Sequence, residues 1–289
     1  MENKFAFCVW VNGSVREMAD FYSRIFEKSK ETRINYFLDD LHGKKGDILT
    51  ITLELDNAEF ILLNGGPEFS TTPAVSYVVE CPTEAQLHHL WSAFSEKGQI
   101  LMPLENHPET GLFGWVNDEF GISWQLKVSD VPEQKITPCF LFANELYGKA
   151  DEAIKDWLDI FSHGTVLDKS QKEDGTVLWA KFKLYDQEFY IMDNEIPHDF
   201  GFTMGNSFYV YCDGQPEIDR LFYALTEDGK AYPCGWVNDR FGVSWQLVTK
   251  DLDELLDGKN EEKSYQTMQA LYEMTKIDIE KLRRVYMDA

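Results

Sequence analysis

One segment of thirteen residues occurs twice in this chain. Gly114–Leu126 reads GWVNDEFGISWQL and Gly235–Leu247 reads GWVNDRFGVSWQL, so eleven of the thirteen positions are identical. Self-similarity of this length indicates a tandem duplication, because independent segments do not converge on so long a match. Any fold for this chain must therefore accommodate two related copies.

The duplication extends over most of the chain. TPAVSYVVEC matches TMGNSFYVYC, which pairs Ser76 with Ser207. Fifteen residues separate Gly98 from Gly114 in the first copy, whereas five separate the equivalent glycines of the second. We predict a first module over residues 1–130 with the more complete cavity, a second over 135–250 that has lost most of a strand, and a tail over 251–289.

The tail begins as an acidic linker. A helix is predicted from about Tyr265, because Tyr265, Met268, Leu271 and Tyr272 form an apolar stripe. We expect this helix to dock on its own chain. The first module is expected to keep the ligand cavity, with the second as its structural partner.

Charge and composition exclude several classes of partner. Fifty acidic against 27 basic residues give a formal charge of −23, which repels nucleic acid and anionic membranes. No apolar run approaches the roughly 20 residues of a membrane helix. The five cysteines form no CxxC pair, which favours free thiols and a cytoplasmic location. An acidic cleft for a cationic ligand is an alternative interpretation of the charge.

The order of predicted elements repeats within each copy. A buried strand, Phe5–Val11, precedes an amphipathic helix from Val15 to Phe26, and three further strands follow. The same order then begins again at Ala74 with AVSYVVEC. The chain is thus predicted to be an α+β protein of four βαβββ units in two tandem modules, followed by the helical tail.

The paired units, the FY…IF helix and the GWVNDEFGISWQL strand resemble the PhnB-like branch of the vicinal oxygen chelate superfamily. That superfamily includes glyoxalase I, bleomycin-resistance proteins and extradiol dioxygenases. MTKIDIEKL, at 274–282, is similar to the family's C-terminal helix. The resemblance implies that each module curls its eight strands into a U-shaped sheet around a cavity. It also implies that the two modules pair within the chain as a pseudo-dimer, leaving a monomer or a weak homodimer.

Enzymes of the superfamily bind one divalent metal in that cavity through histidine and glutamate. The resemblance places the glutamate at Gln125 and Gln246 and the histidine of the fifth strand at Ser76 and Ser207. The remaining ligand positions fall near Ala6 or Phe7, near Thr137 and near Leu62. An amide and a hydroxyl are weak ligands for a divalent metal, so no cofactor is predicted. The alternative is a metal-dependent lyase, isomerase or dioxygenase whose ligands lie elsewhere, with Glu54, Glu59 and Glu80 the nearest carboxylates.

Strand alternation selects the candidate ligand-binding residues. Ser123 and Gln125 share one face of their strand, and Trp124 then faces the core, as does Trp245. Trp115 and Trp236 could line a pocket or pack against a helix. No cluster of lysine or arginine is assigned to the cavity strands. The candidate ligand-binding residues are Ser76, Gln125, Trp115, Leu62, Ser123, Ser207, Gln246 and Trp236.

Two further patterns are interpreted as structural. Asp118 and Asp239 are expected to stabilise turns, with Gly121 and Gly242 at positive φ. Members of this branch are often named demethylubiquinone methyltransferases, yet no glycine-rich turn joins a strand to a helix here, as a nucleotide-like methyl donor requires. The sequence therefore predicts a protein that binds a small, partly apolar molecule in a metal-free cavity.

Overall fold

The computed structural model describes residues 4–108 and 110–289 and contains the four predicted βαβββ units. The first comprises β1 (Phe5–Val11), α1 (Val15–Ile25), β2 (Ser29–Tyr36), β3 (Ile48–Leu55) and β4 (Ala58–Asn64). The second comprises β5 (Val75–Cys81), α2 (Glu84–Ser95), β6 (Gln99–His107), β7 (Gly111–Asn117) and β8 (Ser123–Val128).

The second copy repeats this order in shortened form. Its first unit comprises β9 (Lys135–Phe142), α3 (Ala150–Phe161), β10 (Gly164–Gln171), β11 (Val177–Leu184) and β12 (Gln187–Asp193). Its second comprises β13 (Asn206–Tyr211), α4 (Gln215–Thr226), β14 (Lys230–Ala231), β15 (Trp236–Asn238) and β16 (Ser244–Val248). β14 and β15 have only two and three residues.

The strands form two eight-stranded sheets that do not follow the boundary between the copies. The first sheet has the order β14-β15-β16-β13-β1-β4-β3-β2, and the second has the order β10-β11-β12-β9-β5-β8-β7-β6. The expectation that each module forms its own sheet is therefore wrong. Each sheet joins one unit of each copy, through the antiparallel pairs β1–β13 and β5–β9. The alternation of polar and apolar residues along a strand shows which side chains share a face, but it does not show which strand lies beside it in the sheet.

The two sheets pack against each other through aromatic inner faces. Phe7 of β1 lies 5.6 Å from Tyr77 of β5, and Phe140 of β9 lies 5.1 Å from Phe208 of β13, measured between ring centroids. Trp124 stacks on Phe94 of α2 at 4.9 Å. Trp124 and Trp245 are fully buried, so their predicted place in the core is confirmed. The alternate side chains of each strand project from the opposite, outer face of its sheet.

The tail consists of α5 (Leu252–Leu255), α6 (Glu261–Tyr272) and α7 (Ile279–Asp288). It docks on the first sheet, as the predicted intrachain docking requires. Asp253 of α5 forms an ion pair with Arg33 of β2, and the ring of Tyr272 lies 4.9 Å from that of His42. Cys234 donates its backbone N–H to the carbonyl of Met274 at 2.7 Å. Within 4–108 and 110–289, no helix is long and apolar enough to cross a membrane.

Candidate functional site

The outer face of each sheet carries the same cluster of three polar residues. On the second sheet Gln125 Nε2 donates a hydrogen bond of 2.8 Å to Ser76 Oγ, and Cys139 is the partner of Ser76 in the β5–β9 ladder. All three residues are at most 5% exposed. Because Cys139 comes from the second copy, the cluster depends on strands of both copies.

The equivalent cluster on the first sheet consists of Cys8, Ser207 and Gln246. Gln246 Nε2 donates to Ser207 Oγ at 2.8 Å, and Cys8 pairs with Ser207 in the β1–β13 ladder. Burial raises the pKa of both Cys8 and Cys139 to about 12, against the opposing effect of the neighbouring serine and glutamine. Both thiols are therefore protonated at neutral pH.

The two cysteines were missed by the sequence analysis, which placed the first-strand position near Ala6 or Phe7 and near Thr137. Cys8 and Cys139 are 131 residues apart, the same spacing as Ser76 and Ser207. This equal spacing could have identified Cys8 and Cys139 as equivalent residues of the two copies. It was overlooked because cysteines in apolar strands are common core residues.

These clusters do not fit the divalent metal of the superfamily's enzymes. A protonated thiol, a hydroxyl and an amide provide neither imidazole nor carboxylate, and the amide nitrogen of each glutamine is already bonded to its serine. Across 4–108 and 110–289, no group of three or more histidine, cysteine, aspartate or glutamate residues is placed to hold a metal ion. We derive no chemical step through a metal at either cluster.

The burial of Cys8 and Cys139 predicts slow reaction with alkylating reagents. Because the thiolate is the nucleophile, iodoacetamide at pH 8 should modify these two cysteines at least about a hundredfold more slowly in the native chain than in urea. The measurement is the mass of each cysteine-containing peptide against time. Equal rates in the native and unfolded chains would show that the outer faces are open to solvent at the thiols.

Trp115 extends the cluster on the second sheet. It pairs with Gln125 in the β7–β8 ladder and therefore lies on the same outer face. Its indole Nε1 donates to Ser123 Oγ at 2.7 Å. Four of the candidate residues are thus brought together on the second sheet: Ser76, Gln125, Trp115 and Ser123.

The other four candidates lie on the first sheet. Ser207 and Gln246 form its cluster, and Trp236 pairs with Gln246 on the same outer face, with its ring 6.1 Å from that of Trp10. Leu62 is not brought to this group. It pairs with Val9, whereas the neighbouring Ile61 pairs with Cys8, so Leu62 lies on the inner face of β4.

The tail covers the outer face of the first sheet. Asp253 reaches Arg33 there, and burial raises the pKa of its carboxyl. Tyr209, which follows Ser207 on the same face of β13, is half-buried, and desolvation raises the pKa of its phenol well above the usual range. The described tail contacts therefore lie on one of the two sheets and do not follow the boundary between the copies.

Four buried polar atoms on the outer face of the second sheet have no hydrogen-bond partner among the residues that the structure describes. They are Thr137 Oγ1, Asn117 Oδ1 and Glu80 Oε2 and, at the end of β6, His107 Nε2. Thr137 pairs with Val78 and Asn117 with Ser123, which places these atoms on the same face as Gln125. Lys181 Nζ lies 3.8 Å from Glu80 Oε2, beyond hydrogen-bond reach. Unpartnered buried polar atoms are rare in native proteins and indicate a missing partner.

A group of charged residues lies beside these atoms. Glu80 forms an ion pair with Lys127 at 3.2 Å, and Glu188 forms ion pairs with Lys181 at 2.8 Å and Lys135 at 2.5 Å. The ammonium groups of Lys127 and Lys181 lie 5.2 and 5.3 Å from the centre of the Tyr190 ring. The expectation that no lysine cluster lies on these strands is therefore wrong. The three lysines are spread over β8, β9 and β11, and only the mixed sheet brings them together.

The two turn aspartates have the predicted structural role. Asp118 Oδ1 accepts from the backbone N–H of Phe120 at 2.9 Å and of Ile122 at 3.0 Å, while Oδ2 accepts from Tyr22 at 2.6 Å and Trp124 at 2.9 Å. Burial raises its pKa to about 6, against these four donors. Asp239 accepts from the same set of backbone positions and from two tryptophans, and burial likewise raises its pKa to about 6.

The family described as 3-demethylubiquinone-9 3-methyltransferase matches residues 3–127 and again residues 134–248. The chain belongs to this family. A PhnB protein from Bacillus cereus, described with the same activity, is 32% identical and covers 44% of this chain and 100% of its own, with a TM-score of 0.42. This relative thus spans about one copy of the family's repeat.

Glyoxalase I from Zea mays shares the fold of most of the chain. It is 13% identical, covers 85% of this chain and 93% of its own, and has a TM-score of 0.56. At this identity the similarity concerns the fold alone. The family match and this neighbour together establish a vicinal oxygen chelate fold of two tandem modules. No protein with a curated description matches the sequence.

Proposed function

We propose that this chain binds a small, partly apolar molecule on the outer face of the second sheet, without a metal ion. The observation that carries the proposal is the set of unpartnered buried atoms of Thr137, Asn117 and Glu80 around the Ser76–Gln125 pair. Leaving such atoms without a partner costs about 1–3 kcal/mol each, so a ligand that hydrogen-bonds to them gains affinity. Their position beside Trp115 combines polar and apolar contacts in the manner typical of small-molecule sites.

The first sheet is less suitable as the binding site. Its equivalent cluster lies under the tail, where α5 and its Asp253 occupy the space over the outer face. A ligand at Cys8 and Gln246 would first have to displace the tail. The second sheet needs no such displacement, since the tail contacts described above all lie on the first.

Neither the methyl transfer of the family's name nor metal-dependent chemistry is proposed for this chain. β5 passes directly through Pro82 to Thr83, whose side chain caps α2 by accepting from Gln86 N at 3.3 Å. That junction has no glycine-rich turn for a nucleotide-like donor. The clusters lack the ligands of the metal enzymes. A cytoplasmic location belongs to the proposal, supported by five free cysteines.

Removing the indole of Trp115 is expected to weaken binding of an aromatic probe. In equilibrium dialysis with 2-naphthol, we expect Trp115→Ala to lower the affinity about tenfold, because a buried aromatic anchor contributes strongly to binding. Trp236→Ala is the matched control, since Trp236 holds the equivalent position on the first sheet and both tryptophans are 8% exposed.

If both variants lost the same affinity for 2-naphthol, the cause would be a general destabilisation of the protein. No binding of 2-naphthol by the native chain, together with no adduct retained in native mass spectrometry of the purified protein, would contradict the proposed function.

A further inference from the structure

We propose that the ligand of the second sheet is an anion carrying one negative charge, such as a carboxylate on an apolar body that also bears a hydrogen-bond donor for Asn117 Oδ1 and Glu80 Oε2. This inference rests on the proposed function and specifies the class of molecule bound. The charged group is expected to lie against Lys127 and Lys181 near Tyr190, with the apolar part against Trp115.

The charge of the cluster is positive although the chain is strongly acidic. The cluster contains two carboxylates, of Glu80 and Glu188, and three ammonium groups, of Lys127, Lys135 and Lys181. One positive charge is therefore in excess. Glu80 is 5% exposed, and the side chains of Lys127 and Lys181 are 24% and 22% exposed, so the excess charge is largely removed from water. A half-buried charge in excess attracts an oppositely charged ligand more strongly than an exposed one would.

The lysines also retain hydrogen-bonding capacity. Each ammonium group has three donors, whereas among the described residues Lys127 is bonded to Glu80 and, at 3.4 Å, to the Tyr190 hydroxyl. Within the same part of the chain, Lys181 has Glu188 within hydrogen-bond distance. Both ammonium groups lie near the Tyr190 ring, and they approach different oxygens of the Glu80 carboxylate, at 3.2 Å for Lys127 and 3.8 Å for Lys181. Two such donors can bind the two oxygens of one carboxylate.

The first sheet lacks this cluster at the equivalent positions. Where Glu80 pairs with Lys127 on the second sheet, Tyr211 pairs with Val248 on the first. Where Lys181 pairs with Tyr190, Thr52 pairs with Ile61. The polar Cys–Ser–Gln cluster is common to both sheets, and Lys4 holds the position equivalent to Lys135, whereas Val248 and Thr52 stand where the second sheet has Lys127 and Lys181. The presence of these last two lysines is therefore not a requirement of the fold.

Two aromatic probes of similar shape test the charge requirement. Equilibrium dialysis or isothermal titration calorimetry compares 2-naphthoate, an anion at pH 7.5, with the neutral 2-naphthamide. We expect the native chain to bind naphthoate at least about tenfold more tightly than naphthamide, because one additional charge-assisted hydrogen bond accounts for a difference of this size. The cationic 2-naphthylmethylamine is expected to bind more weakly than either.

Three variants show whether the preference depends on the cluster's charge. Lys127→Met leaves two lysines against two carboxylates, so the preference for naphthoate should fall to about threefold or less. Lys127→Met with Glu80→Gln restores one excess positive charge and should recover the preference. Lys155→Met is the control, because Lys155 forms an exposed ion pair with Asp151 on α3. Circular dichroism of each variant verifies folding, and the double variant keeps the test valid if the single one unfolds.

The possible outcomes separate the two proposals. Equal binding of naphthoate and naphthamide by the native chain would overturn the anionic ligand while leaving the binding site in place. A preference that Lys127→Met and Lys155→Met reduce equally would also overturn it, since the cause would then be general charge. Binding of neither probe would overturn this inference, and the proposed function would fall with it if 2-naphthol also failed to bind and no adduct was retained.

Discussion

Replacing Asp118 with asparagine should lower the free energy of unfolding by about 3 kcal/mol, because one buried acceptor serves four donors. The amide oxygen can still accept from the backbone N–H groups of Phe120 and Ile122. The amide nitrogen would then face the indole N–H of Trp124, which lies 2.9 Å from Oδ2 in the native chain and cannot act as an acceptor. The midpoint of urea unfolding, followed by tryptophan fluorescence, measures the change.

Asp174 provides the control for this substitution. It accepts from the backbone N–H and the hydroxyl of Thr176 in an exposed turn, where asparagine can make a similar turn. We expect Asp174→Asn to change the free energy of unfolding by less than about 0.5 kcal/mol. Asp239→Asn should match Asp118→Asn, because the same arrangement recurs in the second copy. Similar small effects at all three positions would show that the buried turns do not hold the sheets together.

Cutting the chain between the two copies should leave one folded particle. A protease site inserted after Asp130 lies between β8 and β9, and each sheet contains four strands from either side of it. After cleavage, the two fragments should co-elute in size-exclusion chromatography at the mass of the intact chain. They should separate only in denaturant, where the aromatic contacts between the sheets are lost.

The decisive property is the concentration dependence of unfolding. An intact chain unfolds at a denaturant concentration that is independent of protein concentration, whereas a complex of two fragments is less stable when diluted. The uncleaved chain carrying the same inserted site is the control. Two fragments that separate under native conditions and remain folded would contradict the mixed sheets.

The local elements could be predicted because short-range patterns determine them. The periodicity of Met18, Phe21, Tyr22 and Ile25 predicted α1, and all four side chains are buried. The alternation around Gln125 also predicted correctly that Trp124 lies in the core. Successive side chains of a strand alternate between its two faces whatever strands lie beside it, so this prediction needed no knowledge of the neighbouring strands.

The site could be predicted only in part because it depends on which strands are neighbours. Ser76 and Gln125 come from one copy and were grouped correctly, as their 2.8 Å hydrogen bond shows. Cys139 and Lys181 come from the other copy and join them only through the β5–β9 pairing. Leu62 was included from an approximate alignment, and a shift of one residue moves a side chain to the opposite face.

The position of the tail has a consequence for symmetry. Two identical single-copy subunits in a symmetric dimer would repeat every feature at both sheets, including any tail that covers one of them. In the fused chain only the second copy is followed by α5–α7, so one outer face is covered while the other stays uncovered. In a symmetric homodimer the outer faces of the two sheets would have to be identical. The duplication allows these two faces to differ in their side chains and in whether the tail covers them.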